Sequence, residues 1–129
     1  MCDASVLAAM VFEEPASVQA QALTRSRRLL APTLLRYEMA HIAIRKCAFA
    51  PDERIWIERA YEASLNVPLK LLEPSWRPVL QLARENGLSA YDASYLQVAL
   101  SLRVPLATLD ARWAQVADTL DLLAAPGSA

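Results

Sequence analysis

Four acidic residues in this sequence, Asp3, Glu38, Asp92 and Asp110, stand where a carboxylate has unusual work to do. Asp3 and Asp110 follow short apolar runs that read as strands, Met1 to Asp3 and Val104 to Thr108, and each stands at the mouth of a helix. Glu38 and Asp92 fall inside helical stretches in apolar company. Leu34, Leu35 and Ile42 share the face of Glu38, and Tyr95, Leu96 and Ala99 share that of Asp92. An ionised carboxylate turned toward apolar surroundings is costly unless something offsets it. A hard divalent cation is the natural offset, because Mg²⁺ and Mn²⁺ prefer carboxylate and water oxygens. Singly, each acid has an ordinary explanation. Asp110 reads equally as a helix N-cap, and Asp92 lies three residues after Ser89 in an arrangement like a capping box. Glu38 can pair along its helix with Arg45 or Lys46, and Asp3 can be a turn residue. The set of four is what points to a metal-binding cluster.

Composition removes several competing chemistries. Cys2 and Cys47 are the only cysteines, with no CxxC spacing, and His41 is the only histidine, so zinc has almost no ligands to draw on. With two glycines, the chain has neither G-x-G-x-x-G nor G-x-x-x-x-G-K, which excludes a glycine-rich phosphate loop. Net charge is −1, yet Arg25, Arg27, Arg28, Arg36, Arg45, Lys46, Arg54 and Arg59 crowd the first half. They read either as solvated helix faces or as a local basic groove. The longest apolar run, Ala4 to Phe12, is far below the roughly 20 residues that cross a bilayer. Unpaired cysteines without a secretory leader lead us to expect a reducing cytoplasm.

The elements that must position these acids follow from hydrophobic pattern and punctuation. Helices are expected over Ser5 to Phe12 and Ala16 to Arg27, then from Pro32 in a first turn to Ala48. Pro51 opens the next helix, where Ile55, Trp56, Ala60 and Tyr61 form a stripe that reads as core or dimer interface. Ser75 is expected to cap a helix ending at Gly87, Ser89 one running to Leu102, and Asp110 the last. Strands are expected at Met1 to Asp3, Leu29 to Ala31, Leu69 to Leu72, Val104 to Thr108 and Asp121 to Ala124. Short apolar strands alternating with longer helices predict one α/β domain over residues 1–124 with a mostly parallel sheet, and a flexible tail over 125–129. In such sheets ligands bind beyond the carboxyl ends of the strands, where Asp3 and Asp110 stand.

Four segments resemble a known family. Asp3-Ala4-Ser5-Val6-Leu7 resembles the opening Asp-x-Ser motif of PIN domains, and Pro32-Thr33-Leu34-Leu35-Arg36-Tyr37-Glu38 is similar to the segment of VapC-like toxins that ends in a glutamate. Gly87-Leu88-Ser89-Ala90-Tyr91-Asp92-Ala93-Ser94-Tyr95-Leu96 is similar to the most recognisable VapC block, and Pro105-Leu106-Ala107-Thr108-Leu109-Asp110 resembles the final Thr-x-Asp motif. Order and spacing agree from residue 1 to about 123. The resemblance implies a three-layer α/β/α fold and Mg²⁺- or Mn²⁺-dependent cleavage of RNA, with tRNA or rRNA as substrate. It implies Asp3, Glu38, Asp92 and Asp110 as the metal-binding and catalytic acids, with Ser5 and Thr108 as supporting hydroxyls. It also implies a homodimer and a VapB-like antitoxin that enters the active-site groove. Two departures stand out: only Met1 and Cys2 precede Asp3, which leads us to expect either a clipped first strand or a start that lies upstream, and His41 stands where many VapC sequences carry Asn.

Two other readings compete. One is a PIN-like fold kept as a binding or assembly module without turnover. The other is phosphoryl transfer through an aspartate. That would want Asp-x-Asp, where Ser5 stands, or paired acids after the first strand, while Glu13 and Glu14 come a helix later.

Overall fold

The computed structural model describes residues 1–126. Asp3 caps the first helix, α1 (Ala4–Val11), its carboxylate accepting from the Val6 N–H. This helix is buried on most sides, through Ala4, Val6, Leu7, Ala8 and Ala9, because its sequence offers almost nothing polar to solvent. After α2 (Ser17–Thr24) the chain enters β1 (Leu29–Pro32). Helix α3 (Leu35–Phe49) follows and buries Leu35, Met39 and Ala43 at four-residue spacing. A single 3₁₀ turn, Pro51–Glu53, leads into α4 (Arg54–Ser64). Then come β2 (Leu69–Leu72), α5 (Trp76–Asn86), α6 (Ala90–Leu102) and α7 (Ala111–Thr119). Gly87 closes α5 in the left-handed conformation, φ 63°, where a side chain would be strained.

β1 and β2 pair in parallel, with Leu29 opposite Leu69 and Pro32 opposite Leu72. Backbone hydrogen bonds then carry the sheet sideways. The Cys2 N–H donates to Leu30 O, the Ala107 N–H to Met1 O, and the Ala124 N–H to Leu106 O. The segments therefore lie side by side in the order β2, β1, Met1–Asp3, Leu106–Ala107, Leu122–Ala124, with parallel bridges at Cys2–Ala107 and Leu106–Leu123. α1 packs against α2, α3 and α4, and α5 against α6, which also touches β1, giving the expected three-layer α/β/α arrangement. One buried core runs from Met1 to Ala124.

Several expectations need correction. The strands at Met1 to Asp3, Val104 to Thr108 and Asp121 to Ala124 shrink to two isolated bridges that share the middle segment. Asp3 turns the chain into α1 at once, Pro105 has no N–H to donate, and Asp121 takes a positive φ of 58°. Pro32 does not open a helix but ends β1 fully buried, and α3 begins three residues later. The Ser75 side chain makes no cap bond; its N–H donates to Gln97 Oε1 instead. In α4 the anchor is Ile57, 2% exposed, whereas Ile55 and Trp56 face outward. Within the expected tail, Ala125 O accepts from Arg27, while residues 127–129 lie outside the described residues. No described helix is long and apolar enough to cross a membrane.

Candidate functional site

Asp3 is buried where the N-terminal segment meets Ala107, beyond the carboxyl end of that bridge. Both of its oxygens are held. Oδ1 accepts from Ser5 Oγ at 2.6 Å and from the Val6 N–H at 3.0 Å, and Oδ2 accepts from Thr108 Oγ1 at 2.5 Å. The two hydroxyls also reach across to the next segment. Thr108 Oγ1 accepts from the Asp110 N–H at 3.0 Å, and Ser5 Oγ accepts from the Leu109 N–H at 3.0 Å. Asp3, Ser5, Thr108 and the Asp110 backbone thus form one hydrogen-bonded unit. The Asp110 side chain is exposed and caps α7, its Oδ1 accepting from the Trp113 N–H at 3.0 Å.

Glu38 and Asp92 come from α3 and α6. Glu38 is held by Tyr95, whose hydroxyl donates to Oε1 at 2.6 Å. Tyr95 is 1% exposed and meets the buried Trp113 edge to face, 5.3 Å between ring centroids. The indole N–H of Trp113 finds no partner among the described residues. Asp92 stands in the first turn of α6, where Ser89 Oγ accepts from the Asp92 N–H at 3.0 Å, the N-terminal half of the expected capping box.

The carboxylates feel one another. Burial pushes Asp3 above the usual aspartate range; the donors Ser5, Thr108 and Val6 oppose that, and the charge of Asp110 adds to it. Burial likewise raises Glu38, with Tyr95 opposing and Asp92 and Asp3 adding. Asp92 is raised by burial, lowered in part by Ser89, raised by Asp110 and lowered by Arg112. The charge of Asp110 is felt at Asp3 and at Asp92, and the charges of Asp3 and Asp92 are felt at Glu38. The Arg112 charge partly offsets this at Asp92. Such a set is all oxygen, partly desolvated and short of positive charge, the donor chemistry a hard divalent cation requires. Among the described residues, no three of the His, Cys, Asp and Glu side chains converge closely enough to hold an ion by themselves.

All six expected residues therefore lie in one region: Asp3, Ser5, Thr108 and Asp110 through hydrogen bonds, Glu38 and Asp92 through their fields. Tyr95 was legible only as an apolar-face neighbour of Asp92, yet its hydroxyl serves Glu38. A tyrosine on a buried face needs a hydrogen-bond partner, and that was the available signal. Arg112 carried no signal beyond its charge. Four of the eight basic residues of the first half are engaged within the fold. Lys46 pairs with Glu14, Arg54 with Glu58, Arg36 donates to Ser64 O and Arg27 to Ala125 O. His41 is exposed and lines a cavity beside Glu38.

A family model for the PIN domain matches residues 1–119. The chain belongs to the PIN domain family. Family membership makes this a nuclease-type domain, of a kind that generally depends on divalent metal ions. In structure this PIN domain is similar to PAE2754 from Pyrobaculum aerophilum, known from its crystal structure, with a TM-score of 0.72 and 27% sequence identity. That likeness covers 92% of this chain and 83% of the other. No curated protein matches the sequence.

Proposed function

We propose that this PIN domain is a metal-dependent endoribonuclease acting as the toxin of a VapBC-type toxin–antitoxin pair. The observation that carries the reading is the hydrogen-bonded unit of Asp3, Ser5, Thr108 and the Asp110 backbone at the carboxyl end of the sheet, with Glu38 held toward it by Tyr95 and the charges of Glu38, Asp92 and Asp110 acting within the same region. These acids are the proposed metal-holding and catalytic groups, with Ser5 and Thr108 as supporting hydroxyls. Bound Mg²⁺ or Mn²⁺ would supply an acidified water and neutralise charge on the phosphate and on the leaving oxygen.

The residues divide the remaining work. Ser5 and Val6 fill the lone pairs of Asp3 Oδ1, and Thr108 takes one on Oδ2, so the carboxylate is oriented with one lone pair open. Tyr95 occupies Glu38 Oε1 and the Trp113 N–H occupies Asp110 Oδ1. Glu38 Oε2 and Asp110 Oδ2 have no donor among the described residues, and are open to an ion, to its waters or to the proton of an attacking water. Since no three acids close on an ion alone among the described residues, a bound ion would draw the rest of its ligands from water, as Mg²⁺ commonly does.

The substrate in this reading is RNA, tRNA or rRNA, and the partners are a VapB-like antitoxin and a second copy of the chain. Large apolar side chains exposed on α3 and α5, Ile44, Phe49 and Trp76, support such contacts. The test is cleavage of total tRNA and rRNA by purified protein in Mg²⁺, in Mn²⁺ and in EDTA, beside Asp92→Asn. Discrete fragments that need metal and vanish in the variant are expected. A folded protein that binds metal and cuts neither pool would replace this reading with that of a PIN-fold binding module.

A further inference from the structure

Next to the carboxylates, α3 and the start of α6 enclose an open cavity of about 490 Å³, within the range of small-ligand sites. Glu38 forms part of its wall, so the cavity opens onto the acids. Leu34 and Ile42 make it mainly apolar, and Tyr37 and Tyr91 line it from the two helices. Both tyrosines are exposed, 79% and 67%, and neither makes a side-chain hydrogen bond among the described residues. The other two tyrosines of the chain behave oppositely. Tyr61 and Tyr95 turn their hydroxyls inward to Arg36 O and Glu38 Oε1. Packing and hydrogen bonding thus account for Tyr61 and Tyr95 but not for the pair at the cavity.

Charge is placed to match. Arg45 lines the same cavity and makes no ion pair or side-chain hydrogen bond among the described residues, whereas Lys46 beside it is tied to Glu14. Seven residues separate Glu38 from Arg45, roughly 10 Å along the helix at ~1.5 Å per residue. That span exceeds one phosphate, so a strand reaching from the acids to Arg45 would pass the two tyrosines on the way.

We infer that this cavity is a nucleobase subsite, in which Tyr37 and Tyr91 stack on an unpaired base of single-stranded RNA while Arg45 meets a neighbouring phosphate. Stacking on an aromatic face tolerates any base, and the arginine adds a salt-dependent contact without sequence information. The inference rests on the nuclease reading for the identity of the strand. An apolar peptide would use the tyrosines equally, but gains nothing from an unpaired arginine beside the acids.

The test is fluorescence anisotropy of labelled single-stranded oligo(A), and of an abasic ribose-phosphate strand of equal length. The full chain carries Asp92→Asn and is assayed in Mg²⁺, so that the strand stays intact. Tyr37→Ala and Tyr91→Ala should each weaken oligo(A) binding about tenfold or more, leaving the abasic strand unaffected. Tyr37→Phe and Tyr91→Phe should retain binding. Arg45→Gln should weaken both strands and flatten the slope of log K against log salt by about 0.7. Oligo(A) bound equally by wild type and by both folded alanine variants would overturn the inference and leave the tyrosines to a protein partner. A wild type that binds no oligo(A) would overturn it too. Tyrosine-dependent binding in this background, together with a chain carrying the native Asp92 that cuts no RNA in the metal-dependent cleavage assay, would uphold the subsite and remove the nuclease reading, so the two fail separately.

Discussion

The Tyr95 hydroxyl donates to Glu38 Oε1 at 2.6 Å, joining residues 57 apart in sequence and fixing the acid of α3 to the core of α6. Tyr95 is itself packed edge to face with Trp113, and Trp113 lies in the first turn of the helix that Asp110 caps. A continuous line of contacts therefore runs from Glu38 through Tyr95, Trp113, Asp110 and Thr108 to Asp3. The acids are held by one framework although four separate segments supply them.

Tyr95→Phe is expected to keep the ring packing and lose the bond to Glu38. A hydrogen bond to a charged group contributes about 1.5–3 kcal/mol, so urea unfolding should report a loss of that order or somewhat less. The same bond favours the ionised form of Glu38, and without it the carboxyl rises further. The acid limb of the pH–rate profile should move to higher pH, a shift that plain destabilisation does not produce. An unmoved acid limb would show that Tyr95 supports only the fold.

Thr108→Val removes a donor to Asp3 and an acceptor for the Asp110 N–H without changing side-chain shape much. With Thr108 and Asp3 both buried, the expected loss is about 2–3 kcal/mol, from a lost charge-assisted bond and a stranded donor. Ser5→Ala should lose less, because Ser5 is partly exposed and water can replace its hydroxyl. In an Asp3→Asn background both losses should shrink, since the bonds then serve a neutral acceptor. Full-sized losses there would place the hydroxyls' work elsewhere in the fold.

Asp3, Glu38 and Asp92 are all raised in the folded chain, and this sets the direction of pH effects on the metal-free protein. A carboxyl whose folded pKa lies above its unfolded value opposes folding when ionised, and stops doing so as pH falls through the folded pKa. Asp92→Asn removes one ionised member. At neutral pH in EDTA the variant should melt higher than wild type. That difference should narrow as pH falls toward about 4, where the unfolded carboxyls also protonate. Mg²⁺ should raise the wild-type midpoint and raise the variant's by less. Equal midpoints in EDTA across the whole range would mean that the four acids do not form an interacting cluster.

The acids and their hydroxyls were legible because each stands at a chain position with its own local signature. Asp3 and Asp110 cap helices immediately after sheet segments, and Glu38 precedes Met39 in the buried row of α3. What stayed hidden depended on contacts across the fold. The pattern of Ile55 and Trp56 fits a buried helix face, yet the inward row of α4 is Ile57, Ala60, Tyr61 and Ser64, which keeps only half of the expected stripe. Pro32 looked like a helix opener because its missing N–H suits a first turn, but the same lack is harmless at the last residue of a strand. The segments at Cys2, Leu106–Ala107 and Leu123 are apolar enough for strands, and only their pairing reveals that they are joined by two isolated bridges. Tyr95 and Arg112 act on acids that the sequence cannot show to be near them.

Asp110 has two roles that a pair of substitutions separates. Its Oδ1 caps α7 through the Trp113 N–H, and its charge falls on both Asp3 and Asp92. Asparagine retains a capping oxygen and loses the charge, whereas alanine loses both. Asp110→Ala should therefore cost about 1 kcal/mol of stability and loosen Trp113, with Tyr95 against it, so that Glu38 shifts as well. Asp110→Asn should melt at or above the wild-type temperature in EDTA, because one repulsion with Asp3 and one with Asp92 are gone. If the acid serves the nuclease, both variants should lose metal-dependent RNA cleavage to a similar degree. The measurement is thermal melting in EDTA beside single-turnover cleavage in Mn²⁺. Full cleavage by the stable Asp110→Asn protein would reduce Asp110 to a helix cap and leave Asp3, Glu38 and Asp92 as the working acids.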